Sequence, residues 1–471
     1  MQHVHAFRDD ALGDLDAVAL VDSIRTGRVS RPELIEAAIA RVEVVNPILN
    51  GLAYEAFDRA LARAQKGAPR SGFFDGVPTF IKDNVDVEGM PTMQGTDAWD
   101  PLPLAGDGDF ARFFGATGLN ILGKTRLSEF GFSASAEHPR IGPVRNPWDT
   151  DYTAGASSSG AGSFVAAGVI PLAHANDGGG SIRIPAGCNG LVGLKPSRGR
   201  LPQDKLVRRM PVRIISDGVL TRSVRDTAAF YREAERIWRD RSLQPIGAVT
   251  GPGRERLRVG VVTGSVLRES SPVVRDLTGK TAALLEELGH RVEVLSNPVP
   301  SNFVDDFLLY WASLALTLVQ TGRRSFGRSF DRGRLDNLTL GLAKHATRNL
   351  HRLPLAVTRL RSVARVTSRL YESCDVLLTP TLAEETPRIG HLDPTADYRQ
   401  IIDRLVDWAA FTPLQNATGE PAISLPLGQS PTGMPVGMMF AAPLGYERRL
   451  LELAFELEAA RPWARIQDVN K

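Results

Sequence analysis

Cysteine is nearly missing: Cys188 and Cys374 are the only two in 471 residues. That excludes a disulfide framework and any zinc-type ligand spacing, and it fits a reducing compartment. No stretch approaches the ~18 uninterrupted apolar residues of a membrane-crossing helix. The opening MQHVHAFRDDALGDLDAV has neither a basic start nor an apolar run. Neither a membrane span nor a signal peptide is therefore expected, and the expected location is the cytoplasm. A surplus of one charge is missing too. Lys and Arg number 56 against 53 Asp and Glu, a net charge of +3, too small to argue for nucleic acid or a membrane as partner. There is no HExxH and no Cys/His cluster, so no metal and no cofactor is called for. Internal repeats and low-complexity tracts are absent.

What remains is ordinary globular usage, 43% hydrophobic and 23% charged, in a chain long enough to bury a core. Its chemistry concentrates between Thr153 and Arg200, where Ser157-Ser158-Ser159 and Gly178-Gly179-Gly180-Ser181 flank an apolar segment.

Around that stretch the pattern predicts helices over 14–66. The capping box Ser30-Arg-Pro-Glu33 opens one that ends at Asn46-Pro47, and a second runs over Ala53–Gln65. Val77–Ile81 reads as a buried strand with Lys82 at its end. A strand followed by a helix is expected from Ile121, a helix over Gly162–Val169, a strand at Ile170–His174 and a helix from near Ser181. Leu257–Val262, Pro272–Leu288 and Arg291–Leu295 form a βαβ pattern, which implies a parallel pair within a larger sheet. Residues 305–370 read as helical and basic, with eleven Arg and one Lys against two Asp from Arg323 to Arg369. A solvated face is the plain reading; a subunit contact or recognition of an acidic substrate are the functional ones. Asp375–Pro380, Pro421–Pro426 and Val436–Phe440 read as strands, and Arg448–Ala460 as the last helix.

Asp177-Gly-Gly-Gly-Ser181 puts flexible backbone just before a helix, where successive N–H groups can converge on an anion. Phosphate binding would need Gly-Lys-Ser/Thr after the glycines, and neither cluster has it. Oxyanion stabilisation needs a nucleophile beside the amides, and Ser181 is there. A serine needs a base. His174 is the nearest histidine, but it sits on a predicted strand and reads as packed; the G-x-S-x-G elbow does not occur around these serines. A buried lysine can replace histidine, because burial disfavours its charged form. Lys82 and Ser157 could supply such a relay, although a lysine leaving an apolar strand commonly just snorkels to water.

Lys82-Asp83, Gly155-Ala156-Ser157-Ser158-Ser159-Gly160, Asp177-Gly-Gly-Gly-Ser181-Ile-Arg-Ile-Pro-Ala186 and Gly193-Leu-Lys-Pro196 together resemble the amidase signature family. Leu122-Gly-Lys-Thr125 with Glu129, Arg145-Asn-Pro147, Leu378-Thr-Pro380 and Gly419-Glu-Pro-Ala-Ile-Ser-Leu-Pro426 extend the likeness over almost the whole chain, which is most similar to actinobacterial members. The resemblance implies an α/β fold, a large twisted mixed β-sheet flanked by helices on both faces. It implies one domain over 1–471: N-terminal helices (1–70), a catalytic core (71–240), and the remaining sheet and helices (257–470) with a variable helical segment at 300–370. It implies a Ser-Ser-Lys triad with Ser181 as nucleophile, Ser157 as bridging serine after a cis peptide, and Lys82 as base. The amides of Gly178, Gly179, Gly180 and Ser181 would form the oxyanion hole. The activity implied is hydrolysis of a small amide through an acyl-enzyme, with no metal, no nucleic-acid or membrane partner, and a homodimer as the conceivable assembly.

Two positions depart from the family: Ala156 where glycine is usual, and Asn176 where threonine is usual. Two other functions compete. A glutaminase-type A subunit of a tRNA amidotransferase usually has Gln where this chain has Ile184. A catalytically silent scaffold would be expected to have lost one of the three triad residues. Phe303, Phe307, Tyr310 and Trp311 could line an acyl pocket but read first as core.

Overall fold

In the computed structural model of the chain, residues 3–66, 72–297 and 299–468 are described; the expected limit between 70 and 71 lies outside them. The βαβ stretch follows its pattern. Arg258–Val261 and Arg291–Val294 run parallel, with helix Pro272–Glu287 between them. Ser271 caps that helix by accepting the Val274 amide, and Pro272 takes the first position, where its missing N–H leaves no bond unmade.

Leaving aside two short hairpin ladders between residues 137 and 153, three strands come before the large sheet: β1 (Leu52–Glu55), β2 (Pro78–Lys82) and β3 (Asn120–Thr125). They form a small sheet of order β1-β3-β2. The large one is built from β4 (Leu172–Asp177), β5 (Val192–Lys195), β6 (Ser216–Thr221), β7 (Arg258–Val261), β8 (Arg291–Val294), β9 (Val376–Pro380), β10 (Ala422–Gln429) and β11 (Pro435–Ala441). Its eight strands stand in the order β8-β7-β9-β11-β10-β5-β6-β4. Pairing is parallel among β8, β7 and β9 and antiparallel beyond. This is the mixed α/β sheet expected.

Helices cover both faces. Adjacent residues of a strand point to opposite sides, and Met438 and Met439 of β11 show where each side leads. The Met438 sulfur accepts from Thr278 Oγ1 of helix Pro272–Glu287 at 3.5 Å, and the Met439 sulfur from Arg183 Nη1 of helix Arg183–Asn189 at 3.4 Å. Leu378, Ile423, Leu425 and Phe440 join Met438 in the main core, whereas Leu377, Ala422 and Ala441 join Met439 in another.

The small sheet meets the edge of the large one through side chains. Thr79 Oγ1 donates to the Leu172 carbonyl at 3.0 Å, and the Lys82 amide donates to His174 Nδ1 at 3.2 Å. The two contacts hold β2 along β4 from near its start to its end.

Several local expectations are corrected. Residues 52–55 are strand, because pairing with β3 wins over helical spacing, and the helix starts at Phe57. Helix Arg31–Leu49 continues past Pro47, which sits in its last turn, and ends on left-handed Asn50. No helix follows β3: positive φ at Phe130 and Gly131 limits it to a single turn, Glu129–Gly131. Helix Phe303–Phe326 is, by length and composition, long and apolar enough to cross a membrane, although polar residues interrupt its apolar run. Here Leu309, Tyr310, Ala312 and Ala315 are buried within the protein. In the basic segment, Arg334 shares Asp97 with Arg140, and Arg359 lies 3.6 Å from Asp306.

Candidate active site

Lys82 ends β2 with its side chain fully buried. Its Nζ lies 2.6 Å from Ser157 Oγ, 2.7 Å from Asn176 Oδ1 and 3.4 Å from the Asn176 carbonyl. Burial pulls the amine down to about 7, against the opposing charges of Asp177 and Asp217. A neutral amine has two N–H bonds and one lone pair. If Asn176 takes the two N–H bonds, the lone pair faces the Ser157 hydroxyl. Asn176 is itself held by Asn84, whose Oδ1 accepts its amide at 3.1 Å.

His174 is a packed residue, as expected. It is fully buried, and burial lowers its pKa. Nδ1 accepts the Lys82 amide, so in the neutral ring the proton is on Nε2, facing Asp217 Oδ1 at 3.2 Å.

Ser157 follows a turn that needs glycine. Gly155 has φ +85°, and a Cβ there would lie 3.0 Å from Cys188 Sγ and 3.1 Å from Pro185 Cα. Ala156 fits where the family usually has glycine. The cis peptide that the resemblance implied is not found: the described residues contain none, and trans is favoured by about 3–4 kcal/mol for a non-proline bond. Ser157 reaches Lys82 with that bond trans.

Ser181 lies beyond the glycine turn, 6% exposed, and its side borders an open cleft. The hydrogen bonds of the described residues join Lys82 to Ser157, and none joins Ser157 to Ser181. Such contacts commonly tighten only once substrate is bound.

Of the four amides expected to face an oxyanion, one is already engaged. Gly180 N donates to Asp177 Oδ1 at 2.7 Å, because the aspartate at the end of β4 folds the turn back on its own carboxylate. The amides of Gly178, Gly179 and Ser181 have no hydrogen-bond partner among the described residues. Gly180 is instead required for shape: its φ is +137°, and a Cβ would lie 2.4 Å from Thr412 Oγ1 and 2.6 Å from Ile184 Cδ1.

Asp177 is the hub of this turn, a role that motif reading missed. Its carboxylate also accepts Ile182 N, Arg183 Nε and Nη2, and Asn416 Nδ2 at 2.8–3.2 Å. Burial pushes this carboxyl up, but Arg183 overcomes it and holds it near 2. Thr412 Oγ1 completes the support by donating to the Gly179 carbonyl at 2.6 Å. Asn416 and Thr412 lie more than 200 residues away, and no local signal points to them.

The cleft over Ser181, counted with the open solvent in its mouth, spans about 810 Å³. Phe303, Phe307 and Trp311 line it, so three of the four aromatics first read as core are cleft wall. They face inward because helix Phe303–Phe326 lies across the glycine turn: a Cβ on Gly178 would meet the Trp311 ring at 3.2 Å. Tyr310, clustered with these rings on the same helix but away from the cleft lining, is core and donates to the Val212 carbonyl at 2.7 Å. Among the described residues no group of three or more His, Cys, Asp or Glu side chains is placed to hold a metal ion.

The family model described as Amidase matches residues 33–451. A Mycobacterium leprae protein whose name, AmiC, designates an amidase is 70% identical over 99% of this chain and 99% of its own length. The 6-aminohexanoate-cyclic-dimer hydrolase of Paenarthrobacter ureafaciens is 33% identical over 95% of each chain. A solved structure of 6-aminohexanoate cyclic dimer hydrolase complexed with substrate superposes with a TM-score of 0.85, at 31% identity, over 97% of this chain and 99% of that one.

Proposed function

This chain belongs to the amidase family and is a hydrolase of amide C–N bonds; we propose that it works through Ser181 as nucleophile, Ser157 as proton relay and Lys82 as base. Ser181 Oγ attacks the amide carbonyl and passes its proton to Ser157, while Ser157 passes its own to neutral Lys82. The amides of Gly178, Gly179 and Ser181 receive the oxyanion. The C–N bond then breaks, with the proton returned through Ser157 to the leaving nitrogen. Water opens the Ser181 ester by the same route and releases the carboxylic acid.

The observation that carries this reading is the 2.6 Å contact between Lys82 Nζ and Ser157 Oγ, made by a fully buried amine held at about 7. A solvated lysine near 10.4 would be almost wholly charged at neutral pH and could not accept a proton. The intact set of three argues against a silent scaffold. Ile184 is buried beside Gly180 and brings a hydrocarbon wall to the cleft, which supplies nothing for the polar end of glutamine.

A fluorophosphonate probe tests the assignment. Wild type is expected to be labelled once, and Ser181→Ala not at all, with loss of amine or ammonia release from amides. Labelling that persists in Ser181→Ala would remove Ser181 from the nucleophile's role.

A further inference from the structure

The cleft over Ser181 has walls of one chemical kind. Ile184, Phe307, Trp311, Ile402 and Leu405 are typical of its lining; Ser133 and Ser265 add hydroxyls, and no side chain that borders it carries a charge. Titratable Glu129, His138 and Asp336 line a second cavity that shares Phe132 and Ser133 as a wall. Inside the cleft the rings are ordered. Phe132 stands edge-on to Trp311 at 5.4 Å and 84°, and Phe307 stacks on it at 6.1 Å and 19°. Gly178 backs the indole, so the flat wall and the oxyanion turn are one unit.

We infer that the substrate is an uncharged amide that places a bulky, flat, apolar group in this cleft, and that amides charged on that group are turned away. The inference rests on the Ser181 reading above and adds the class of molecule that Ser181 meets. A ring in the cleft meets aromatic faces and edges, which add attraction beyond the area buried. A charged group set against these rings would give up water for no counter-charge and at most a hydroxyl or two, a penalty that apolar contact does not offset. The same argument excludes free glutamine, whose α-ammonium and α-carboxylate would both need partners.

Two amides of one shape make the test. In 4-ethylbenzamide and 4-(aminomethyl)benzamide a methyl group is exchanged for an ammonium. With the full chain, kcat/KM is expected to favour the ethyl compound by about a hundredfold or more. In Val406→Asp, which sets a carboxylate in the cleft wall, the ratio is expected to narrow by at least tenfold. Equal rates, or a preference for the cationic amide or for glutamine, would overturn the inference while Ser181 chemistry stood. Where neither benzamide turns over, the pair is compared as protectors of Ser181 from the fluorophosphonate probe. Protection by the neutral compound alone supports the inference; equal or better protection by the cationic one overturns it. Absence of Ser181 labelling altogether would instead be a failure of the underlying reading.

Discussion

Asn176 Oδ1 accepts a hydrogen bond from Lys82 Nζ at 2.7 Å, opposite the contact that Nζ makes with Ser157. A neutral oxygen at that place directs the amine without adding charge. As the proposed base, Lys82 works only when deprotonated, so kcat/KM is expected to fall as pH drops below about 7, the value to which burial brings it. Asn176→Asp puts a negative charge beside the amine and favours its protonated form. The acid limb is then expected to move up by about one pH unit or more, as read from the pH–rate profile. An unmoved limb would mean that Asn176 only packs.

In the proposed relay Lys82 and Ser157 act as one device, so their losses should not add. Lys82→Ala and Ser157→Ala are each expected to lower kcat on the order of 10³-fold. The double variant is expected to be no more than about threefold worse than the poorer single one. Multiplying losses, measured by single-turnover kinetics, would count against a shared proton path.

Neighbouring glycines of the turn should differ in tolerance. Gly180→Ala forces a left-handed φ on a side chain and presses its Cβ within 2.6 Å of two neighbours. Gly179→Ala meets nothing within 4 Å. Thermal melts are expected to show clear destabilisation in the first and little change in the second.

Arg183 and Asp177 are both fully buried, so removing one leaves the other's charge without its partner. Arg183→Leu is expected to cost about 3–5 kcal/mol, read as a lower urea midpoint with the slope unchanged. A loss under ~1 kcal/mol would show that Asn416 and the turn amides suffice to hold the carboxylate.

Local motifs made part of this arrangement legible. Glycines ahead of Ser181, and a lysine closing a short apolar strand, mark backbone that must be flexible and an amine that must be enclosed. The βαβ unit was legible because strand and helix periods differ. Trp311 was not: a helix of nearly continuous apolar character gives no sign of which stripe faces a cleft and which faces core. Asn176 was visible only as a departure from threonine, since where its side chain points depends on how β2 meets β4. Asn416 and Thr412 were beyond reach because they act at a distance in sequence. The Gly180 amide was misassigned because the motif does not show that Asp177 bends back to take it.

Asp177 draws its support from Arg183 close by and from Asn416 far along the chain. A ribosome releases the signature stretch long before it releases Asn416. Until that late segment arrives, the turn lacks one of its fixed points, and a half-made chain carries Lys82, Ser157 and Ser181 without the whole frame around them. The turn thus draws its fixed points from two distant parts of the polypeptide.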